Sequence, residues 1–137
     1  DGMRLFGLGA SWGGFESLII PFDPRPIRTA SSRWPYEGPC FRMHGHNYKF
    51  FVTVEGEVDP ASGMIADFGV IKQVVGERIL AKVDHRTLND TLDNPTAENI
   101  ARWIWEELEG ALPGLAEVRL YEIPDSCVTY RGPGGRP

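Results

Sequence analysis

The chain has 137 residues, 42% hydrophobic and 24% charged, with 14 Lys and Arg against 19 Asp and Glu for a net charge of -5. These values describe one folded, soluble domain and exclude a disordered chain, a collagen-like repeat and a coiled coil. With no basic run, no apolar stretch near bilayer length and no signal-like start, the sequence predicts no nucleic-acid partner, no membrane association and a cytoplasmic location.

Residues 1–39 carry Pro21, Pro24, Pro26, Pro35, Pro39 and the Gly13-Gly14 pair, so only short strands or turns fit comfortably there. Leu5–Ala10 and Ser17–Phe22 are the two candidates. From residue 47 the pattern sharpens: Phe50, Val52 and Val54 alternate with Lys49, Thr53 and Glu55, as a strand with one buried face requires. Asp59-Pro60-Ala61-Ser62-Gly63 supplies a turn. Asp67 can then cap a helix that places Ile71, Val74, Val75 and Ile79 on one side and ends near Val83. Asn94-Pro95-Thr96 offers an N-cap with proline at the first helical position, and Ile100, Trp103, Ile104 and Leu108 continue at helical spacing towards Pro113-Gly114. Val118 and Leu120 begin another alternating strand, and Cys127–Arg131 can return beside it. Strands and helices are segregated along the chain, so an α+β fold is expected, an antiparallel sheet with two helices packed on one face.

Several side chains have types and spacings that suit chemistry. His44-Gly45-His46 on an extended segment sends both imidazoles to one side, where they can share a metal ion. A pair of hydrogen-bonded surface histidines satisfies the same spacing. Cys40 lies in a turn-rich stretch four residues before His44, where its thiol can serve as base or nucleophile, or equally as a small buried apolar residue. Asp84-His85 sets a carboxylate beside an imidazole, a pair suited to proton transfer, or else a His against the last carbonyls of a helix. Glu122 shares strand parity with Val118 and Leu120, which brings a carboxylate onto the apolar face in need of donors. An amide N–H beside an amino group, as on the edge of a pterin or guanine, would supply two, and the alternative is an edge-of-sheet Glu reaching water past Pro124. Cys40 and Cys127 are too few for a disulfide framework.

Taken together, Cys40-x-x-x-His44-Gly45-His46-Asn47-Tyr48, Gly63-Met64-Ile65-Ala66-Asp67-Phe68, Val83-Asp84-His85, Leu88-Asn89, Pro95-Thr96-x-Glu98-Asn99 and Glu122 resemble the 6-pyruvoyltetrahydropterin synthase family. The likeness covers about residues 40–137 and looks most like the 6-carboxytetrahydropterin synthases of queuosine (7-deazaguanine) biosynthesis. It implies a T-fold whose antiparallel strands and two helices assemble into a barrel as a homo-oligomer, a trimer or hexamer. By position it implies zinc (Zn2+) on His44 and His46, proton abstraction by Cys40, a proton relay of Asp84 and His85, and the pterin ring on Glu122. The implied reaction converts 7,8-dihydroneopterin triphosphate to 6-carboxytetrahydropterin with loss of acetaldehyde and triphosphate. The family places a third zinc histidine on its N-terminal strand, where this chain has Ala10-Ser11-Trp12, and indole is not a zinc ligand. Cys40, an acid such as Glu16 or Glu37, or water would complete the site. An alternative follows: a pterin- or purine-binding T-fold module without a complete zinc site.

Residues about 4–44, notably Leu5-Phe6-Gly7-Leu8-Gly9-Ala10-Ser11-Trp12-Gly13-Gly14-Phe15, resemble the C-terminal part of cystathionine β-lyase-type pyridoxal-phosphate enzymes. Residues 1–44 hold no lysine for a Schiff base, so that activity is not expected. The expected organisation is an atypical segment over 1–39 and a T-fold domain over 40–137.

Overall fold

The computed structural model describes residues 15–29, 44–83 and 86–134, with side chains at all of these except 23–29 and 44–46. Four strands, β1 (Phe15–Thr29), β2 (His44–Glu57), β3 (Leu115–Ile123) and β4 (Ser126–Tyr130), form one antiparallel sheet in the order β1-β2-β3-β4. Between β2 and β3 the chain makes α1 (Phe68–Val75), a π-helical turn (Gly76–Leu80), α2 (Ala81–Val83), a 3-10 turn (Leu88–Asp90) and α3 (Ala97–Leu108). The antiparallel α+β architecture is the one the sequence predicts.

Alternation decides which sheet face is covered. Ile20, Phe22, Phe50, Val52, Val54, Ala116, Val118 and Leu120 are all buried, and the register sets Ile20 opposite Val52, Phe22 opposite Phe50, and Val52 opposite Val118. Phe22 and Phe50 stack with ring centroids 4.9 Å apart. Each such side chain contributes about 1.5–3 kcal/mol when fully buried. The helices cover this face, with Ile100, Ala101, Ile104, Trp105 and Leu108 of α3 packed in the same core.

The first helix runs from Phe68 to Val83 with a π turn inside it. Its buried residues, Ile71, Val75, Ile79 and Val83, recur every fourth position. At 3.6 residues per turn such a stripe drifts by about 40° per step and would leave the sheet after three steps. The π turn advances less per residue and brings Ile79 and Val83 back to the core. Asp67 caps the helix as expected, its Oδ1 accepting from Gly69 N at 2.7 Å.

Three local expectations change. The cap of α3 is Thr96, not Asn94: Thr96 is extended and its Oγ1 accepts from Asn99 N at 3.2 Å. Asn94 instead offers its carbonyl to Thr96 N and to the Asn99 side chain, 2.9 and 2.8 Å away. α3 also stops at Leu108, short of Pro113-Gly114, and successive turns carry the chain on to β3. Finally, β1 is a 15-residue strand despite its prolines. It pairs with β2 alone among the described strands, so one side of its backbone needs no donors. Its register slips between Phe22 and Arg25, which leaves Asp23 and Pro24 together opposite Lys49.

Candidate functional site

The His44-Gly45-His46 segment, the candidate metal site of the sequence, lies at the start of β2. His44, Gly45 and His46 stand opposite Thr29, Arg28 and Ile27, and Asn47 and Tyr48 follow opposite Pro26 and Arg25. Positions 44 and 46 therefore occupy one extended strand two residues apart, with the parity of Tyr48 and Phe50. Cys40 lies outside the described residues, as do Asp84 and His85. Of their described neighbours, Arg86 N donates to Val83 O at 3.0 Å, and Val83 and Leu88 are buried.

Glu122 sits where β3 changes register. Tyr121 faces Cys127 while Ile123 faces Ser126, so Glu122 is the extra residue of a β-bulge at the β3–β4 hairpin. Bulges bend a strand and re-aim the side chain they carry. Here the carboxylate is half-buried, and the Tyr48 hydroxyl donates to its Oε2 at 3.4 Å. Lys49 and Tyr121 are the last paired residues of the β2–β3 ladder, and one step further brings position 48 opposite position 122. One end of the sheet thus carries positions 44, 46 and 48 on β2 and the acid on β3. Tyr48 escaped the sequence reading as a site residue. Its signal was the parity it shares with Phe50 and Val52, which buries a phenol that must find a partner.

Within a single chain, one suggested third ligand is remote from the pair. Glu16 pairs with Gly56, ten residues along β2 from His46. At about 3.3 Å per residue the two are roughly 30 Å apart. Glu37 and Trp12 lie outside the described residues. Cys127, the remaining thiol, is exposed on β4 opposite Tyr121.

Two motifs outside this end have local structural roles. Gly63 turns the chain at φ 74° just before Asp67 caps α1. Thr96 and Asn99 tie the start of α3 to Asn94. Among the described residues no helix is long and apolar enough to cross a membrane.

The family profile of 6-pyruvoyl tetrahydropterin synthase matches residues 26–133, a range that starts within the segment set apart as 1–39. Over 98 residues, 65% of this chain and 66% of the relative, the sequence is 42% identical to the 6-pyruvoyl tetrahydrobiopterin synthase of Pongo abelii, so the chain spans about two thirds of that protein's length. It is 37% identical over 105 residues to the 6-carboxy-5,6,7,8-tetrahydropterin synthase of Synechocystis, 72% of this chain and 81% of that one. The structure of Caenorhabditis elegans 6-pyruvoyl tetrahydropterin synthase superposes with a TM-score of 0.74 at 27% identity, covering 88% of this chain and 96% of the other.

Proposed function

The chain belongs to the 6-pyruvoyl tetrahydropterin synthase family, and on that premise we propose that it is a zinc-dependent carbon–carbon lyase of the 6-carboxytetrahydropterin synthase type. Its reaction would take 7,8-dihydroneopterin triphosphate and one water to 6-carboxytetrahydropterin, acetaldehyde and triphosphate, as a step towards queuosine. The likeness to the Synechocystis protein supports this choice of product, and the Cys-x-x-x-His-Gly-His spacing points the same way. The working form would be a cytoplasmic homo-oligomer, a trimer or hexamer, in which sheets of several copies close a barrel.

The observation that carries the reading is the half-buried Glu122 carboxylate at the β3 bulge. It is an acceptor-only group at the end of an apolar face, suited to a ring that presents an amide N–H and an amino group side by side. His44 and His46 would hold the metal, since two imidazoles at one parity of a strand suit zinc. Bound there, zinc would supply Lewis acidity to the hydroxylated side chain of the substrate. Cys40 would take a proton from that side chain as thiolate, and Asp84 with His85 would hold and return protons during its cleavage. Glu122 would orient the ring throughout.

A second reading is favoured by the histidine count: His44, His46 and His85 are the only three in the sequence, so no histidine before Cys40 can complete the zinc site. In that reading Glu122 still binds a pterin or purine, but no turnover follows. Incubation with 7,8-dihydroneopterin triphosphate and zinc decides between the two. The enzyme should release acetaldehyde, carry near-stoichiometric zinc, and lose the release in Cys40→Ala. Pterin binding by metal-free protein without acetaldehyde establishes the binding module, and equal release from parent and Cys40→Ala removes Cys40 from the chemistry.

A further inference from the structure

The reading of Glu122 as the ring-binding acid leaves open what holds its carboxylate in the orientation that a ring edge requires. Tyr48 is 2% exposed, with its ring in the core, and its hydroxyl meets Glu122 Oε2 at the core's rim. A phenol facing a carboxylate can act only as donor, so the direction of this bond is fixed by chemistry. The two side chains come from neighbouring strands, and the acid is the extra residue of the β3 bulge, beside the end of the β2–β3 ladder. The ring of Tyr48 is immobilised by its burial, whereas Glu122 has three rotatable bonds. The stiffer partner sets the geometry.

We propose that Tyr48 is a positioning residue: its hydroxyl restrains Glu122 so that both carboxylate oxygens face the ligand, and the pair thereby selects 2-amino-4-oxo heterocycles over 2,4-dioxo ones. The inference rests on Glu122 as the ring-binding acid. A 2-amino-4-oxo edge presents two adjacent donors, one for each oxygen. A 2,4-dioxo edge presents one N–H between two carbonyls, so a restrained carboxylate sets one of its oxygens against a carbonyl oxygen. A carboxylate that has lost this one restraint rotates more readily to meet that single N–H with one oxygen alone. Tyr48 therefore acts on discrimination as well as on affinity. At 3.4 Å its bond is long for O–H···O, which leaves the acid room to close on a ligand.

The test titrates the full chain with pterin and with 2,4-dioxopteridine, following ligand fluorescence, in the parent, Tyr48→Phe and Glu122→Ala. Tyr48→Phe keeps the buried ring and deletes only the hydroxyl. The parent should prefer pterin, and Tyr48→Phe should cut that preference about threefold, the worth of a hydrogen bond at the weak end of the usual range, while binding the dioxo compound no worse than the parent. A parent without preference overturns the proposal. So does a Tyr48→Phe variant that keeps the parent's preference, including one that loses both ligands equally along with thermal stability, which is what a purely structural hydroxyl would produce. Parent-like pterin affinity in Glu122→Ala would strike earlier, at the assignment of Glu122 itself.

Discussion

Strand β3 is bulged near each of its ends, at Ala116 in its ladder with β2 and at Glu122 in its ladder with β4. The surroundings of the two bulges differ. Beside the first, Glu55 N donates to Gly114 O at 2.8 Å, and a Cβ built on Gly114 would lie 2.3 Å from the Glu55 carbonyl oxygen. Beside the second, a carboxylate meets a phenol at the edge of the core. One bulge admits no side chain nearby, because two backbones touch. The other carries a half-buried acid. On the proposed reading of Glu122, stability and recognition fall at opposite ends of one strand, and substitutions should separate them.

Gly114→Ala should give the largest effect. Gly114 has φ 84°, where an L-residue is strained, and its added methyl would press on backbone that cannot rotate away. The two costs together should lower unfolding free energy by at least about 3 kcal/mol. Urea unfolding should show the midpoint falling sharply, while the protein that remains folded in buffer binds pterin with parental affinity. A loss below about 1 kcal/mol would mean that the close approach is not fixed in solution.

Glu122→Gln should reverse the pattern. The amide keeps the size of the side chain but turns one acceptor into a donor that opposes the ring's own donor. Pterin affinity should fall about a hundredfold, roughly 2.8 kcal/mol, measured by fluorescence titration. Thermal stability should barely move, since the residue is only half-buried and leaves no cavity. If stability fell as far as affinity, the second bulge would be as structural as the first.

The elements legible in the sequence are those in which a single period governs burial. Phe50, Val52 and Val54 announced β2, and Asp67 announced the start of α1, because a two-residue alternation and a capping carboxylate are local signals. The first helix was legible in extent, but its π turn was not. The turn answers to a sheet that only the folded chain supplies. β1 was hidden beyond Phe22 by its prolines, which an edge position and a bulge accommodate. At the candidate site, the placing of Glu122 beside the apolar face was legible from parity; its contact with Tyr48 was not, because that depends on the strand beside it.

The smallest effect should come from Thr96→Ala, which touches neither bulge. Thr96 caps α3, and α3 packs across both β3 and β4. Deleting the Oγ1 acceptor leaves Asn99 N without its cap and should cost about 1 kcal/mol, visible as a lower thermal midpoint. Asn99 would still reach Asn94 O through its side chain, so the helix start should fray without detaching. Because α3 packs on both β3 and β4 as a layer, a loosened α3 should lower stability and leave the preference for pterin over its dioxo analogue unchanged. A variant that kept its melting point but lost that preference would show that recognition is carried by the helix layer as well, and the division of labour between the ends of β3 would fail.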